Sequence, residues 1–190
     1  MSSISSIIAL AGRRIDTPGT NPPRFPLDSV PLVRARIAEL LRVERAAAVV
    51  ASAACGADLI ALEEAERIGI RRRIVLPFPA RIFRRTSVTD RPGTWGAGFD
   101  RVIAAASAVG DLIILEKSAA KEDEAYDATT AAILREARAL ARLRSSHPRK
   151  LIAAIVWEGG ARRGVDLTEK FRSLATRSGF YERSIRTILG

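Results

Sequence analysis

Residues Ser52-Ala-Ala-Cys-Gly-Ala-Asp58 carry the most specific chemistry in this 190-residue chain. They join the apolar run Ala46–Ala51 to the amphipathic stretch Leu59–Arg67, so a short buried strand turns through small residues into a helix. Such a turn brings backbone N–H groups and the positive end of a helix to the C-terminal edge of the strand, where phosphate groups bind. Ser52 and Gly56 suit this role because close approach of an anion to the backbone needs small residues. The charge of Asp58 would repel a phosphate. It fits either the first-turn electrostatics of the helix or contact with a ribose hydroxyl. Cys55 belongs to the same binding turn. With no histidine nearby to act as base, its thiol reads as a small buried group and not a nucleophile.

Other informative residues gather where apolar strands end. After Ser6–Gly12 come Gly12 itself, Arg13, Arg14 and Asp16; after Arg73–Pro77 come Pro77 and Phe78. After Gly110–Glu116 comes Glu116, and after Lys150–Trp157 come Trp157, Glu158, Gly159, Gly160, Gly164 and Asp166. Arg13 and Arg14 are expected to neutralise phosphates, since the planar guanidinium fork donates two parallel hydrogen bonds. Asp16 or Asp58 is expected to hold ribose, and Trp157 or Tyr126 to stack on a base; Trp157 serves equally well to close the core. The glycine loop 159–164 is either an anion cradle or a plain strand-to-helix connection. Glu63, Glu64 and Glu66 read as solvated, with Glu63 and Arg67 paired at i,i+4. His147, beside Pro148, reads as a surface residue.

These residues need a framework of alternating strands and helices. Beyond the strands above, Ala47–Ser52 is a strand, and helices are expected over Ser29–Arg45, from Asp58 to near Gly69, over Phe99–Ala108, Glu122–Leu143 and Val165–Arg177. The stretches 13–28 and 78–98 read as irregular, and the tail Phe180–Leu189 as one more short helix. Apolar strands separated by helices imply a parallel sheet covered on both faces. The expected fold is an α/β, Rossmann-like, doubly wound sheet of five or more mainly parallel strands, ordered 3-2-1-4-5, in a single domain over residues 1–190.

Composition sets the outer limits. Apolar residues make up 47% of the chain and aromatics 5%, so Ala, Val, Ile and Leu must fill the core. No apolar run approaches the roughly 20 residues that span a bilayer, and no membrane partner is expected. The start, Met1-Ser-Ser-Ile-Ser-Ser, lacks the basic segment of a secretory signal, and cytoplasmic residence is the expectation. One cysteine and one histidine cannot build a structural zinc site, so no metal and no required cofactor are expected. The net charge of +10, from 31 basic residues against 21 acidic ones, favours an anionic partner.

Ser52–Asp58, Glu63 and Ile74-Val-Leu-Pro-Phe78, taken together, resemble the SLOG superfamily of Rossmann-like nucleotide-binding domains. That group holds cytokinin-activating phosphoribohydrolases, DNA processing proteins and sensor domains of bacterial defence and signalling systems. Gly12-Arg-Arg-Ile-Asp16, Arg24-Phe-Pro26, Ser87-Val88, Trp95, Phe99 and Tyr126-Asp-Ala-Thr-Thr130 are similar, in order, to a bacterial signalling subgroup. The chain departs from the phosphoribohydrolases at Glu158-Gly-Gly-Ala-Arg-Arg-Gly-Val-Asp166, which lacks the Gly-Thr pair of their Pro-Gly-Gly-x-Gly-Thr-x-x-Glu motif.

The resemblance implies a small nucleotide or nucleotide-derived ligand, such as a cyclic ADP-ribose-like signal, held by a sensor. It also implies a homodimer through the helices that flank the sheet. An N-glycosidic phosphoribohydrolase is the alternative, with Glu116, Glu158 or Glu169 as the candidate catalytic carboxylate that positions water or stabilises the oxocarbenium ion. Single-stranded nucleic-acid binding is a third reading, raised by the net charge and set against by the few aromatics.

Overall fold

The computed structural model describes residues 4–115, 122–143 and 149–189. Glu116, among the candidate carboxylates, and His147 lie outside the described residues. In chain order the elements are β1 (Ser6–Gly12), α1 (Val30–Val43), β2 (Ala46–Ala51), α2 (Ala57–Arg67), β3 (Arg71–Leu76), α3 (Ala80–Ser87) and α4 (Trp95–Ala108). They continue as β4 (Leu112–Ile114), α5 (Glu122–Arg142), β5 (Lys150–Trp157), α6 (Leu167–Arg177) and β6 (Tyr181–Arg186).

Six parallel strands form one sheet, ordered β4-β3-β2-β1-β5-β6. Side-chain alternation sends Ile8, Leu10, Val49, Ala51, Ile74, Leu76, Ile152 and Ala154 to one face, where α1, α2 and α4 cover them. Ile7, Ala9, Val50, Val75, Ala153 and Ile155 point to the other face, under α5 and α6. Both faces are therefore dry, which is why these strands read as continuous apolar runs. Among the described residues no helix is long and apolar enough to cross a membrane.

The fold is Rossmann-like, but the strand order differs from the expected 3-2-1-4-5. β4 continues outward beside β3 and does not return to β1. The Asp111 carboxylate, just before β4, accepts hydrogen bonds from Arg71 (2.8 Å) and Arg73 (2.9 Å) on β3, and its carbonyl accepts the Ile74 N–H at 2.9 Å. These bonds fasten the three-residue β4 to that edge. Reversal comes one crossover later, through the 21-residue α5. At about 30 Å it is long enough to return across the sheet to β5, which lies beside β1. A constant crossover hand requires this reverse passage to use the opposite face, and α5 packs on β1, β2 and β3 there. The switch point is thus between β1 and β5.

Further corrections concern local structure. The tail is an edge strand: β6 pairs with β5 from Ile152–Tyr181 to Trp157–Arg186. The stretch 78–98 contains α3 and the first turn of α4. Gly96 and Gly98 sit inside α4 because of packing, since a Cβ on Gly98 would come within 2.4 Å of Glu63 Oε1. Glu64 is buried, not solvated; it pairs with Arg34 (2.9 Å) and with Arg67 (2.8 Å). Glu63 pairs with Arg34 and Arg101, so the expected Glu63–Arg67 pair is replaced by Glu64–Arg67.

Candidate functional site

Small residues at the end of β1 and the start of α2 bring three chain segments together. A Cβ on Gly12 would lie 2.5 Å from the Ala57 Cβ and 2.6 Å from the Val156 Cβ. Gly56, at φ 97°, would place a Cβ 2.8 Å from the Arg13 carbonyl oxygen. The backbone donors expected to face a phosphate are partly used within the chain. Ala57 N–H donates to the Arg13 carbonyl at 3.2 Å, and Cys55 N–H to the Ser87 carbonyl at 3.0 Å. The close approach that Gly12 and Gly56 permit is therefore backbone to backbone. Cys55 is fully buried in the core.

Arg13 closes this junction on the other side. Its guanidinium donates to Glu158 (2.6 and 3.1 Å), to Asp166 (2.6 and 2.9 Å) and to the Gly160 carbonyl (3.0 Å). Asp166 also caps α6, accepting the N–H groups of Thr168 and Glu169 at 3.0 and 3.1 Å. Burial would raise the Asp166 pKa. The Arg13 hydrogen bond and the backbone donors of Arg162 and Glu169 outweigh it and hold the group down at about 2. The glycine loop after β5 thus wraps a protein guanidinium.

Beside this clamp lies a cavity of about 500 Å³, over the C-terminal ends of β1 and β2. Leu10, Ala11 and Gly12 of β1, with Ser52 and Ala54, line its sheet side. Thr86 and Ser87 of α3, Tyr126, Thr129, Thr130 and Ile133 of α5, and Thr168 of α6 complete the wall. Arg14, Arg24, Arg91 and Arg162 also line it. Arg24 reaches Glu158 at 3.7 Å, Arg91 donates to the Ile15 carbonyl at 3.1 Å and lies 3.6 Å from Asp90, and Arg162 Nε donates to the Val165 carbonyl at 3.0 Å. A guanidinium has five N–H donors, so each of these three keeps donors without a partner among the described residues.

The sheet side of the cavity holds polar groups with little internal company. Ser52 Oγ and Arg14 Nε are buried without a hydrogen-bond partner among the described residues. The far end of Arg14 bonds to Asp90. Asp58 is 8% exposed, and its carboxylate accepts one long hydrogen bond, from the Ala54 N–H at 3.4 Å. Burial drives its pKa up to about 7, against the opposing pull of the Ala54 N–H and the Arg14 charge. A group poised there changes charge near neutrality, which is the property of acid–base and recognition carboxylates.

Among the residues expected from sequence, the cavity gathers Gly12, Arg13, Arg14, Asp16, Ser52, Asp58 and Tyr126. Asp16 turns its carboxylate to the N–H groups of Arg24 (2.8 Å) and Phe25 (2.9 Å), fixing the long loop that carries Arg24. Phe78 stands behind Tyr126, edge to face, with centroids 6.0 Å apart. Pro77, Cys55 and Gly56 are not on the cavity wall.

Trp157 closes the core, donating from Nε1 to Ser184 Oγ at 2.8 Å under the Arg172 guanidinium. Gly159 packs against the Arg186 guanidinium, and Gly164 turns the loop at φ 80°. Glu169 is held by Arg172 at 2.7 Å, outside the cavity.

Sequence reasoning did not single out Thr17, Thr20, Thr86, Arg91, Thr129, Arg162 or Thr168 as wall residues. One signal was present: Tyr126, Thr129, Thr130 and Ile133 recur at i, i+3, i+4 and i+7, a single helical face. Among the described residues no cluster of His, Cys, Asp or Glu could hold a metal ion. No protein-family model matches the chain, and no curated protein matches it at a significant level.

Proposed function

We propose that the chain binds a nucleotide or nucleotide-derived ligand, as a sensor, in the cavity above β1 and β2. One observation carries this reading: arginines 24, 91 and 162, with donors still open, border the same 500 Å³ space as a wall of Ser and Thr hydroxyls. Guanidinium groups recognise phosphate oxygens, and hydroxyls recognise sugar and base edges. A volume of this size is that of a small-molecule site. The resemblance of Ser52–Asp58 and its companion motifs to the SLOG superfamily points the same way.

Calorimetric titration with ribonucleoside 5′-mono- and diphosphates, ADP-ribose and cyclic dinucleotides tests it. Saturable binding that Arg24→Ala and Arg162→Ala each weaken by at least about tenfold is the expected result. A chain silent toward the whole series would overturn it.

Asp58 supports a second reading, hydrolysis of an N-glycosidic bond. In that reaction the Asp58 carboxylate takes a proton from water as the water oxygen bonds to the anomeric carbon. The base leaves with the bonding electron pair and takes up the proton that Asp58 received from the water, which restores the Asp58 carboxylate. Among the described residues Glu158 and Glu169 are engaged with Arg13 and Arg172, and of the two carboxylates lining the cavity, Asp16 and Asp58, Asp58 has the less internal bonding. Release of free base by the wild-type chain, lost in Asp58→Asn, distinguishes an enzyme from a sensor.

A further inference from the structure

The cavity is chemically uneven. Its arginine rim keeps open donors, while its sheet side presents a carboxylate that a phosphate would be driven from. We propose that Arg14, Ser52 and Asp58 form a subsite for the vicinal hydroxyls of a ribose ring, with the ligand's phosphates at Arg24, Arg91 and Arg162; the subsite rests on the nucleotide reading above.

Three observations select this chemistry. The Asp58 carboxylate has room for about four hydrogen bonds and receives one, long, from the Ala54 N–H. It therefore calls for donors, and a phosphate has none to give it when fully ionised. An ammonium group would be a donor, but Arg14 and the rim arginines make the cavity's field positive. A neutral pair of adjacent hydroxyls supplies two donors with no charge conflict.

The Ser52 hydroxyl has no partner among the described residues, so it loses no bond when it turns toward a ligand oxygen. Arg14, anchored to Asp90, stands as the countercharge of Asp58.

The test compares the four ribonucleoside 5′-diphosphates with their 2′-deoxy counterparts by calorimetry. The wild-type chain is expected to bind the ribose form at least about tenfold more tightly, the loss of one charge-assisted hydrogen bond. Asp58→Asn should reduce that preference to less than about threefold, and Ser52→Ala should reduce it in part. Thermal melts establish that each variant is folded. Should Asp58→Asn fail to fold, Ser52→Ala, which removes an unpartnered atom, carries the same comparison. Equal affinity for the two sugar forms, or a preference that survives both substitutions, overturns the subsite and leaves nucleotide binding standing. Failure of both series to bind overturns the subsite, and silence toward ADP-ribose and cyclic dinucleotides as well overturns the nucleotide reading with it.

Discussion

Arg13 and Arg14 are neighbours at the end of β1, yet they enter opposite environments. Arg13 points into a clamp where Glu158, Asp166 and the Gly160 carbonyl satisfy its guanidinium five times over. Arg14, bonded to Asp90 and beside the Cys55 thiol, points toward a wall where the Ser52 hydroxyl and most of the Asp58 carboxylate lack partners among the described residues. The two aspartates report the same contrast. Asp166 is held down at about 2 by its donors, whereas Asp58 is pushed up to about 7 by burial without enough of them. Complete satisfaction marks a structural joint, whereas incomplete satisfaction beside a cavity is what the proposed ligand would complete.

The strongest way to break this contrast is to remove Arg13. Arg13→Ala strands two carboxylates, of which Asp166 is 4% and Glu158 18% exposed. Breaking a buried pair from one side costs about 3–5 kcal/mol. Chemical denaturation should show a loss of that size, and Arg13→Lys should recover only part of it, since an ammonium lacks the fork. A loss below about 1 kcal/mol would mean that the clamp is not a structural joint.

The next effect separates the two aspartates by pH. Asp58 binds its proton more tightly when folded than when unfolded, so its contribution to stability is full below the ordinary 3.8 and is lost as pH rises to about 7. The span amounts to roughly 4 kcal/mol. Asp166 has the opposite sign: its contribution is present above 3.8 and is lost as pH falls toward about 2. Asp58→Asn should therefore flatten the decline between pH 4 and pH 7 and leave the acid limb in place. At pH 8 the variant should be more stable than the wild type by about 2–4 kcal/mol. Urea midpoints measured from pH 3 to pH 8 check both limbs, and an unchanged slope above pH 4 would remove Asp58 from the buried titrating groups.

Much of this arrangement was legible before any coordinates. The continuous apolar runs of β1, β2 and β5 and the long period of α5 announce themselves, because each carries its burial in its own residues. β6 does not. Of Tyr181-Glu-Arg-Ser-Ile-Arg186 only Ile185 is buried, and the strand exists because β5 offers it an open edge. The place of β4 depends on Arg71, Arg73 and Asp111, charges whose meeting no local pattern reveals.

The same holds at the site. Ser52 and Asp58 could be located at a strand end, since topology alone puts strand ends on one rim. That Arg13 is saturated and Arg14 is not depends on Glu158 and Asp166, more than 140 positions away. The sequence marks Gly56 as a site of close approach, but what approaches it, and Gly12 with it, is the chain itself.

Glycine substitutions sharpen the contrast at a smaller scale. Gly56 is the hinge between clamp and cavity, at φ 97° with the Arg13 carbonyl oxygen 2.8 Å from any added Cβ. Gly56→Ala should cost about 1–3 kcal/mol, from the left-handed backbone together with the contact. Gly160 belongs to the loop that the sequence marked as an anion cradle, yet nothing stands within 4 Å of an added Cβ. Gly160→Ala should stay within about 0.5 kcal/mol of the wild type in denaturant midpoints. A large penalty at Gly160 would show that the loop is held more tightly around Arg13 than its open surroundings imply.

The smallest stability effect should come from Ser52, and it discriminates most finely. Removing a hydroxyl that already has a partner leaves that partner stranded, at about 1–3 kcal/mol, but Ser52 Oγ has none to strand. Ser52→Ala should therefore change stability by no more than about 0.5 kcal/mol, or raise it slightly, because an unsatisfied polar atom leaves the interior. Thermal melts and urea titrations of the two proteins measure this directly. A destabilisation of 2 kcal/mol, roughly the cost of a broken buried hydrogen bond, would show that Ser52 has a structural partner. The cavity wall would then be a joint like the clamp beside it, and the difference between Arg13 and Arg14 would lose its meaning.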